Sequence, residues 1–175
     1  SPVEPVPSPL GVHDMAVSVA ALDRQESPGA DVESEGDVAD SGRLQILRGP
    51  PAVILHVAHN AQAAGALAAS LAAMGPRGRT YAVLGMLKDK DIAGVVAALK
   101  PAIAHWFLAG LAVARGAGVD DLDATLAEGG VKARTRSPDV AAAYAQACDM
   151  ATENDRILVF GSFYTVATVM RIRAR

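Results

Sequence analysis

Three short groups of polar residues in this chain carry side chains that can bind anions. His59 and Asn60, the charged group Lys88–Asp91 and the hydroxyl residue Ser162 each come directly after an apolar run typical of a buried strand. An imidazole, an ammonium group and a hydroxyl at a helix N-terminus can all donate hydrogen bonds to a carboxylate or a phosphate. Because ligands of open α/β sheets bind at the carboxyl ends of the strands, these groups together predict one anion-binding site.

Each group also has a purely structural interpretation. Asn60, Asp89 and Ser162 all precede helical patterns, and their side chains are typical N-caps. Capping does not require imidazole, so His59 is either a ligand donor or an ordinary loop histidine. The sequence around Ser162 is not a nucleophile elbow, because glycine does not stand two residues to either side of the serine.

Several classes of function lack support in the composition. The net charge of −3 gives no electrostatic basis for nucleic-acid binding, and Cys148 is the single cysteine of the chain. No Walker A sequence, Gly-x-Gly-x-x-Gly motif or cysteine-rich metal motif occurs. No apolar stretch is long enough for a membrane span, and the first residues lack the features of a signal peptide. We therefore expect a cytoplasmic protein that binds neither membranes nor nucleic acids.

The elements that would position these groups alternate regularly from residue 42 onward. This alternation predicts the α/β class, with a Rossmann-like, mostly parallel sheet and helices on both faces. The apolar periodicity and the turn residues predict strands at 44–47, 52–58, 79–84, 103–108, 131–135 and 156–160, and helices at 62–74, 89–99, 119–126, 138–151 and 162–170.

Residues 1–41 have a different composition. Four prolines fall among the first nine residues, and 23–41 carry seven acidic side chains against one arginine. This composition predicts an extended tail and an acidic linker. A helical pattern at 13–22 interrupts it. We expect 42–175 to form the folded domain.

Four sequence blocks, taken in order, resemble one known family. They are Ser41–Gln45, Val57–Asn60, Gly85–Asp91 and Glu153–Val166. They are similar to the C-terminal domain of bacterial bifunctional dihydrofolate synthase/folylpolyglutamate synthase, in the Mur ligase superfamily. The resemblance covers 41–172, and the pattern at 13–22 weakly resembles the last helix of that family's central ATPase domain.

The resemblance implies ATP-dependent ligase chemistry. Enzymes of this family use ATP and Mg²⁺ to phosphorylate a pteroate or folate carboxylate, and the amino group of glutamate then attacks the acyl phosphate. In the family the P-loop and the Mg²⁺ ligands belong to the central domain. By this resemblance the chain binds ATP, glutamate and dihydropteroate or folate together with a P-loop domain. That domain is present in cis or in trans. We expect it to be a monomer and to be inactive alone.

The resemblance also assigns roles to individual residues. It implies nucleotide contacts at Arg43 and at position 56, where His56 replaces the family's aspartate. A neutral imidazole does not offer the two acceptor oxygens of a carboxylate. His59 and Ser162 match residues of the family's glutamate site. The residues expected at the domain interface or near anions are Asn60, Lys88, Asp89 and Lys90.

Other functions stay open on the sequence alone. The chain would serve equally as a non-catalytic module that docks on a separate ATPase-domain protein, or it is a remnant without function. A Mur-type ligase that adds amino acids to a cell-wall precursor has the same fold, although the amino-acid motif usual in its C-terminal domain is not found here.

Overall fold

The computed structural model describes residues 44–75 and 78–175. The predicted tail, linker and helix within 1–41 lie outside these residues, and so does Arg43. No helix in the described part of the chain is long and apolar enough to cross a bilayer.

The fold is built on one six-stranded sheet in the described residues. The strands are β1 Gln45–Leu47, β2 Ala52–His56, β3 Thr80–Gly85, β4 His105–Ala109, β5 Arg134–Ser137 and β6 Arg156–Gly161. Their order in the sheet is β1-β2-β6-β3-β4-β5. β1 runs antiparallel to β2, and all the other neighbours are parallel. The predicted α/β class and the mostly parallel sheet are therefore confirmed.

Helices cover both faces of the sheet, as predicted. Alternate residues of each strand point to opposite faces, so the continuous apolar runs fill two cores. The helices in the described residues are α1 Ala61–Ala73, α2 Ile92–Leu99, α3 Val119–Glu128, α4 Val140–Met150 and α5 Phe163–Ala174, with a short 3₁₀ turn at Lys100–Ala102. Leu84 and Phe160 belong to the core under α1, α2 and α3, whereas Val83 and Val159 belong to the core under α4 and α5.

Four predicted element starts come two or three residues too early, including that of the strand predicted from 103, which begins at His105, and local hydrogen bonds explain the other three. The predicted helix at 89 begins at Ile92, because Asp91 is the cap and accepts from the Gly94 N–H at 3.0 Å. The predicted helix at 138 begins at Val140, because Asp139 caps it and leaves the preceding proline outside. The strand predicted from 131 begins at 134, because the Val131 N–H still donates to the end of α3, at Leu126 O.

The amino edge of the sheet is closed by side chains of Asp155 and Arg156. Asp155 is buried and accepts hydrogen bonds from the backbone N–H groups of Arg79 and Thr152, both at 2.7 Å, and from the Thr152 hydroxyl at 3.0 Å. Arg156 donates to the Thr80 hydroxyl at 2.9 Å. These bonds join the starts of β3 and β6. The two backbone N–H donors, Thr152 first and Arg79 second, lower the pKa of Asp155 below its usual value.

Candidate functional site at the carboxyl edge

The carboxyl ends of β2, β6 and β3 lie next to one another. His56 of β2 is in register with Phe160 of β6, and Gly85 of β3 is in register with Gly161 of β6. The three polar groups identified in the sequence follow these three strands. The sheet order therefore brings all of them to one stretch of its carboxyl edge.

A close pair of glycines forms the centre of this edge. The Ser162 N–H donates to Gly85 O at 2.9 Å, so the chain leaving β6 remains bonded to the end of β3. Gly161 has a φ of +123°, and a Cβ there would overlap the Gly85 carbonyl. A Cβ on Gly85 would lie 2.6 Å from Thr165 Oγ1. Gly161 is therefore required for the close approach of the two backbones, and Gly85 leaves the space that the Thr165 hydroxyl fills.

Ser162 caps α5 at the centre of the edge. Its side chain is 5% exposed, and its hydroxyl oxygen accepts from the Thr165 N–H at 3.4 Å. The structural interpretation of Ser162 as an N-cap is confirmed. At 3.4 Å the bond is long, so the cap is a weak one. The first turn of this 12-residue helix also directs its N-terminal dipole toward the same edge.

The β2 junction places its three polar residues in different surroundings. Asn60 is exposed and caps α1 by accepting from the Ala63 N–H at 2.7 Å, so its capping interpretation is confirmed. His59 is half-buried between the strand and this cap. His56 is only 1% exposed and lies at the end of β2 on the face of Ile54.

The β3 junction differs from the sequence prediction at Asp89. Asp91 caps the helix, and Asp89 instead forms an ion pair with Arg115 at 2.9 Å, in which both side chains are largely exposed. The Lys88 N–H donates to Arg115 O at 2.8 Å, which fastens the turn to the loop after β4. The Lys88 side chain is exposed, and Lys90 is half-buried.

Sequence reasoning missed Arg115, which the structure brings beside Lys88. The signal that could have found it is a loop with three glycines, at 110, 116 and 118, between a strand and a helix. Gly116 pairs with Leu87 in an isolated bridge, and a Cβ on it would collide with Leu111. A glycine of this kind marks a close backbone approach, and its neighbour is then held in a fixed place.

An apolar groove of about 560 Å³ opens beside Ser162. Phe163 is 66% exposed and Tyr164 is 49% exposed, and their ring centroids lie 6.5 Å apart. Neighbouring exposed aromatic residues beside a groove are typical of contact surfaces. Sequence patterns had assigned no function to them. The groove is lined by Leu111, Val113, Asp139, Phe163, Tyr164 and Arg171, among others.

The described residues do not fit a magnesium site. Within 44–75 and 78–175, no group of three or more His, Cys, Asp or Glu side chains is placed to hold a metal ion. Mg²⁺ requires oxygen ligands in octahedral geometry, which these residues do not assemble. We therefore derive no chemical step through a metal on this part of the chain.

Comparison with known families decides the relationship. Residues 42–163 match the family model described as "Mur ligase, glutamate ligase domain". The chain belongs to the Mur ligase family. The resemblance noted from the four sequence blocks is thereby confirmed at the level of the family.

One curated relative matches almost the whole length of this chain. The dihydrofolate synthase/folylpolyglutamate synthase of Escherichia coli K12 is 40% identical over 179 residues, which cover 98% of this chain and 39% of that enzyme. The chain thus spans about two fifths of the length of this relative. It is homologous to the C-terminal domain of this ATP-dependent ligase.

Solved structures show the same relationship. E. coli FolC in complex with DHPP and ADP superposes with a TM-score of 0.69 at 41% identity, over 74% of this chain and 30% of that one. A bifunctional folylpolyglutamate synthase/dihydrofolate synthase with Mn, AMPPNP and L-glutamate bound gives a TM-score of 0.69 at 38% identity, over 76% of this chain and 31% of that one. The superposed part of this chain therefore has the same fold as the matching part of those two enzymes.

Proposed function

We propose that this chain supplies the glutamate-side domain of an ATP-dependent ligase that joins glutamate to dihydropteroate or tetrahydrofolate. The observation that carries the proposal is the carboxyl edge of the sheet. There Ser162 begins α5, its N–H is bonded to Gly85, and the Lys88 turn follows three residues later. A helix N-terminus with a hydroxyl, on the same sheet edge as a turn that carries a lysine, suits the carboxylates of glutamate.

The relatives support this choice of substrates. One solved relative was determined with L-glutamate, AMPPNP and Mn, and another with DHPP and ADP. Because the sequence identity to both is near 40%, we propose the same classes of ligand for the complete ligase. His59 and Ser162 are the proposed glutamate contacts, and Arg43 and His56 the proposed positions near the nucleotide.

We further propose a division of labour, in which the nucleotide and glutamate are bound mainly by different domains. A P-loop domain, in cis or in trans, would hold the ATP phosphates and Mg²⁺, because this sequence contains no Walker A motif. Bound ATP and Mg²⁺ would supply the phosphoryl group that converts the pteroate or folate carboxylate into an acyl phosphate, with release of ADP. This chain would bind and orient glutamate, whose amino group would attack the acyl carbon, form the amide and release inorganic phosphate. The chain alone is proposed to be a monomer without ligase activity.

The test measures release of ADP with ATP, Mg²⁺, glutamate and dihydropteroate or tetrahydrofolate. We expect no glutamate-dependent release from the isolated chain, and release when a P-loop domain of the family is joined upstream. In the joined enzyme, Ser162→Ala should raise the KM for glutamate about tenfold, because one hydrogen bond to a charged group is lost. Glutamate-dependent ADP release by the isolated chain would contradict the division of labour, and an unchanged KM would contradict the glutamate site.

A second variant tests the nucleotide side of the joined enzyme. His56→Asp restores the family's residue at a position that is 1% exposed here. A gain in ATP affinity would identify a degraded nucleotide contact at this position. An unchanged affinity would indicate that the imidazole has a different role.

One observation favours a second candidate, a docking module that works with a separate P-loop protein. Phe163 and Tyr164 are exposed directly beside Ser162, where a partner protein would cover them. Co-purification with an ATPase-domain protein, lost in Phe163→Ala, would support this candidate. Retention of the partner by that variant would count against it.

A further inference from the structure

We infer that Thr165 is a positioning residue that sets the Ser162 hydroxyl to donate, and so to select an anionic group. The inference rests on the proposed function, since it concerns the same glutamate site. Thr165 is fully buried in the first turn of α5. Its hydroxyl makes one short hydrogen bond, to Gly85 O, and one long contact, with Ser162 Oγ.

The short bond fixes the proton of the Thr165 hydroxyl. Thr165 Oγ1 donates to Gly85 O at 2.8 Å. A hydroxyl has a single proton, so this oxygen can only accept in its other contacts. Its other side-chain contact is Ser162 Oγ, at 3.4 Å. In that contact Ser162 must therefore be the donor.

The backbone of Thr165 fixes the other side of the Ser162 hydroxyl. The Thr165 N–H is shared between Ser162 O, at 3.1 Å, and Ser162 Oγ, at 3.4 Å, so it occupies one lone pair of the hydroxyl in part. Ser162 Oγ thus accepts weakly from the helix, and its contact with Thr165 Oγ1 leaves its own proton as the donor. Both contacts are long for hydrogen bonds, so a ligand oxygen can replace Thr165 as the acceptor at little cost.

This polarity predicts the chemistry of the ligand. A serine whose lone pair is partly occupied and whose proton is weakly held suits an acceptor, such as a carboxylate or phosphate oxygen. It does not suit an ammonium group, which brings only donors. Thr165 would therefore favour binding of a glutamate carboxylate at Ser162 and direct the amino group elsewhere.

The same hydroxyl also fixes the distance between two parts of the site. Gly85 O accepts from both Thr165 Oγ1 and the Ser162 N–H, so the start of α5 is tied twice to the end of β3. The Thr165 oxygen lies where a side chain on Gly85 would have to go. Three residues after Gly85 the chain reaches Lys88. Thr165 thus sets the position of Ser162 relative to the lysine turn.

The test compares three variants of the full chain. Thr165→Val keeps the shape and removes the hydroxyl, and Thr165→Ser keeps the hydroxyl. Thr168→Val is a matched control in the same helix, because Thr168 Oγ1 also bonds a carbonyl at 2.8 Å, that of Tyr164. The measurements are hydrogen exchange of the Ser162 amide, titration with L-glutamate followed at the same amide, and the urea midpoint.

We expect Thr165→Val to raise the exchange rate of the Ser162 amide about fivefold and to raise the Kd for L-glutamate about fivefold. This factor corresponds to the free energy of one hydrogen bond. Thr165→Ser and Thr168→Val should stay within about twofold of the wild type in both measurements. Because overall destabilisation would speed exchange at all core amides, the effect must be confined to the junction. Rescue by serine distinguishes positioning from packing.

Other outcomes would overturn one inference or the other. If Thr165→Val leaves the Ser162 amide unchanged, or if serine fails to rescue it, Thr165 has no positioning role. If the wild-type chain gives no response to L-glutamate, the glutamate part of the proposed function fails for this chain. The exchange data would then still decide whether Thr165 fixes Ser162.

Discussion

The two edges of the parallel sheet use their polar residues in opposite ways. At the amino edge, Asp155 accepts three hydrogen bonds and Arg156 donates to the Thr80 hydroxyl, so these groups serve the fold. At the carboxyl edge, the contacts of the Ser162 hydroxyl with Thr165 are both 3.4 Å long, and the Lys88 side chain is exposed.

This difference separates stability from binding. Short bonds to buried groups stabilise the amino edge, and their loss would cost folding free energy. Long bonds at the carboxyl edge contribute little stability and leave hydrogen-bonding capacity for a ligand. The backbone beneath the carboxyl edge is nevertheless tightly built, because two glycines meet there.

The largest effect is expected for Gly161→Ala, which tests the backbone beneath the carboxyl edge. The new Cβ would overlap Gly85 O, and the φ of +123° strains any L-residue. We expect a loss of about 3 kcal/mol in the free energy of unfolding, measured with urea.

Gly65→Ala is the control for this variant. Gly65 lies within α1, and no atom stands within 4 Å of the added Cβ. This substitution should stabilise the chain by about 0.5–1 kcal/mol, as expected for alanine within a helix. A loss below about 1 kcal/mol in Gly161→Ala would show that the two backbones can separate without cost.

The second effect concerns the amino edge. Asp155→Ala leaves two backbone N–H groups and one hydroxyl without their acceptor and should cost about 2 kcal/mol. The exposed Asp149→Ala should change stability by less than about 0.5 kcal/mol. An equal loss in both variants would contradict the closed amino edge.

The contribution of Asp155 should also depend on pH. Its pKa in the folded chain lies below the unfolded value, because the Thr152 and Arg79 N–H groups stabilise the carboxylate. The stabilisation is therefore complete above the unfolded pKa of about 3.9 and is lost as the pH falls through the folded pKa. In urea titrations at falling pH, the difference in the free energy of unfolding between the wild type and Asp155→Ala should therefore decrease. A gap independent of pH would contradict this cause.

The smallest expected changes in the free energy of unfolding concern the two helix caps at the carboxyl edge, Asn60 and Ser162. Asn60→Ala removes a 2.7 Å bond and should cost about 1 kcal/mol, whereas Ser162→Ala removes a 3.4 Å bond and should cost about half of that. L-glutamate binding should fall only in Ser162→Ala. If Ser162→Ala costs more stability than Asn60→Ala, the serine is mainly a structural cap.

Local sequence patterns predicted most of the elements but not their order. The apolar runs before His59 and before Ser162 predicted β2 and β6, because strands buried on both faces need continuous apolar residues. Nothing local indicates that β6 lies between β2 and β3. That order depends on the packing of the whole sheet, and it is what brings the polar groups together.

The details that sequence reasoning missed depend on distant partners. The sequence predicted Asp89 as the cap, whereas in the structure Asp91 caps the helix and Asp89 pairs with Arg115, 26 positions away. The bond from Thr165 to Gly85 spans 80 positions. Contacts at such separations leave no trace in local periodicity, whereas caps such as Asn60 lie within the pattern that predicts them.

The antiparallel direction of β1 has a consequence for how a catalytic partner could be attached. Gln45 is in register with Leu55, so the chain enters the sheet at the end of β2 that leads to His59. A P-loop domain fused before residue 44 would therefore be tethered beside Ser162 rather than at the opposite edge. Its effective concentration at the site would depend on the length and stiffness of the tether. Changing only that length should alter turnover while every contact within the sheet stays the same.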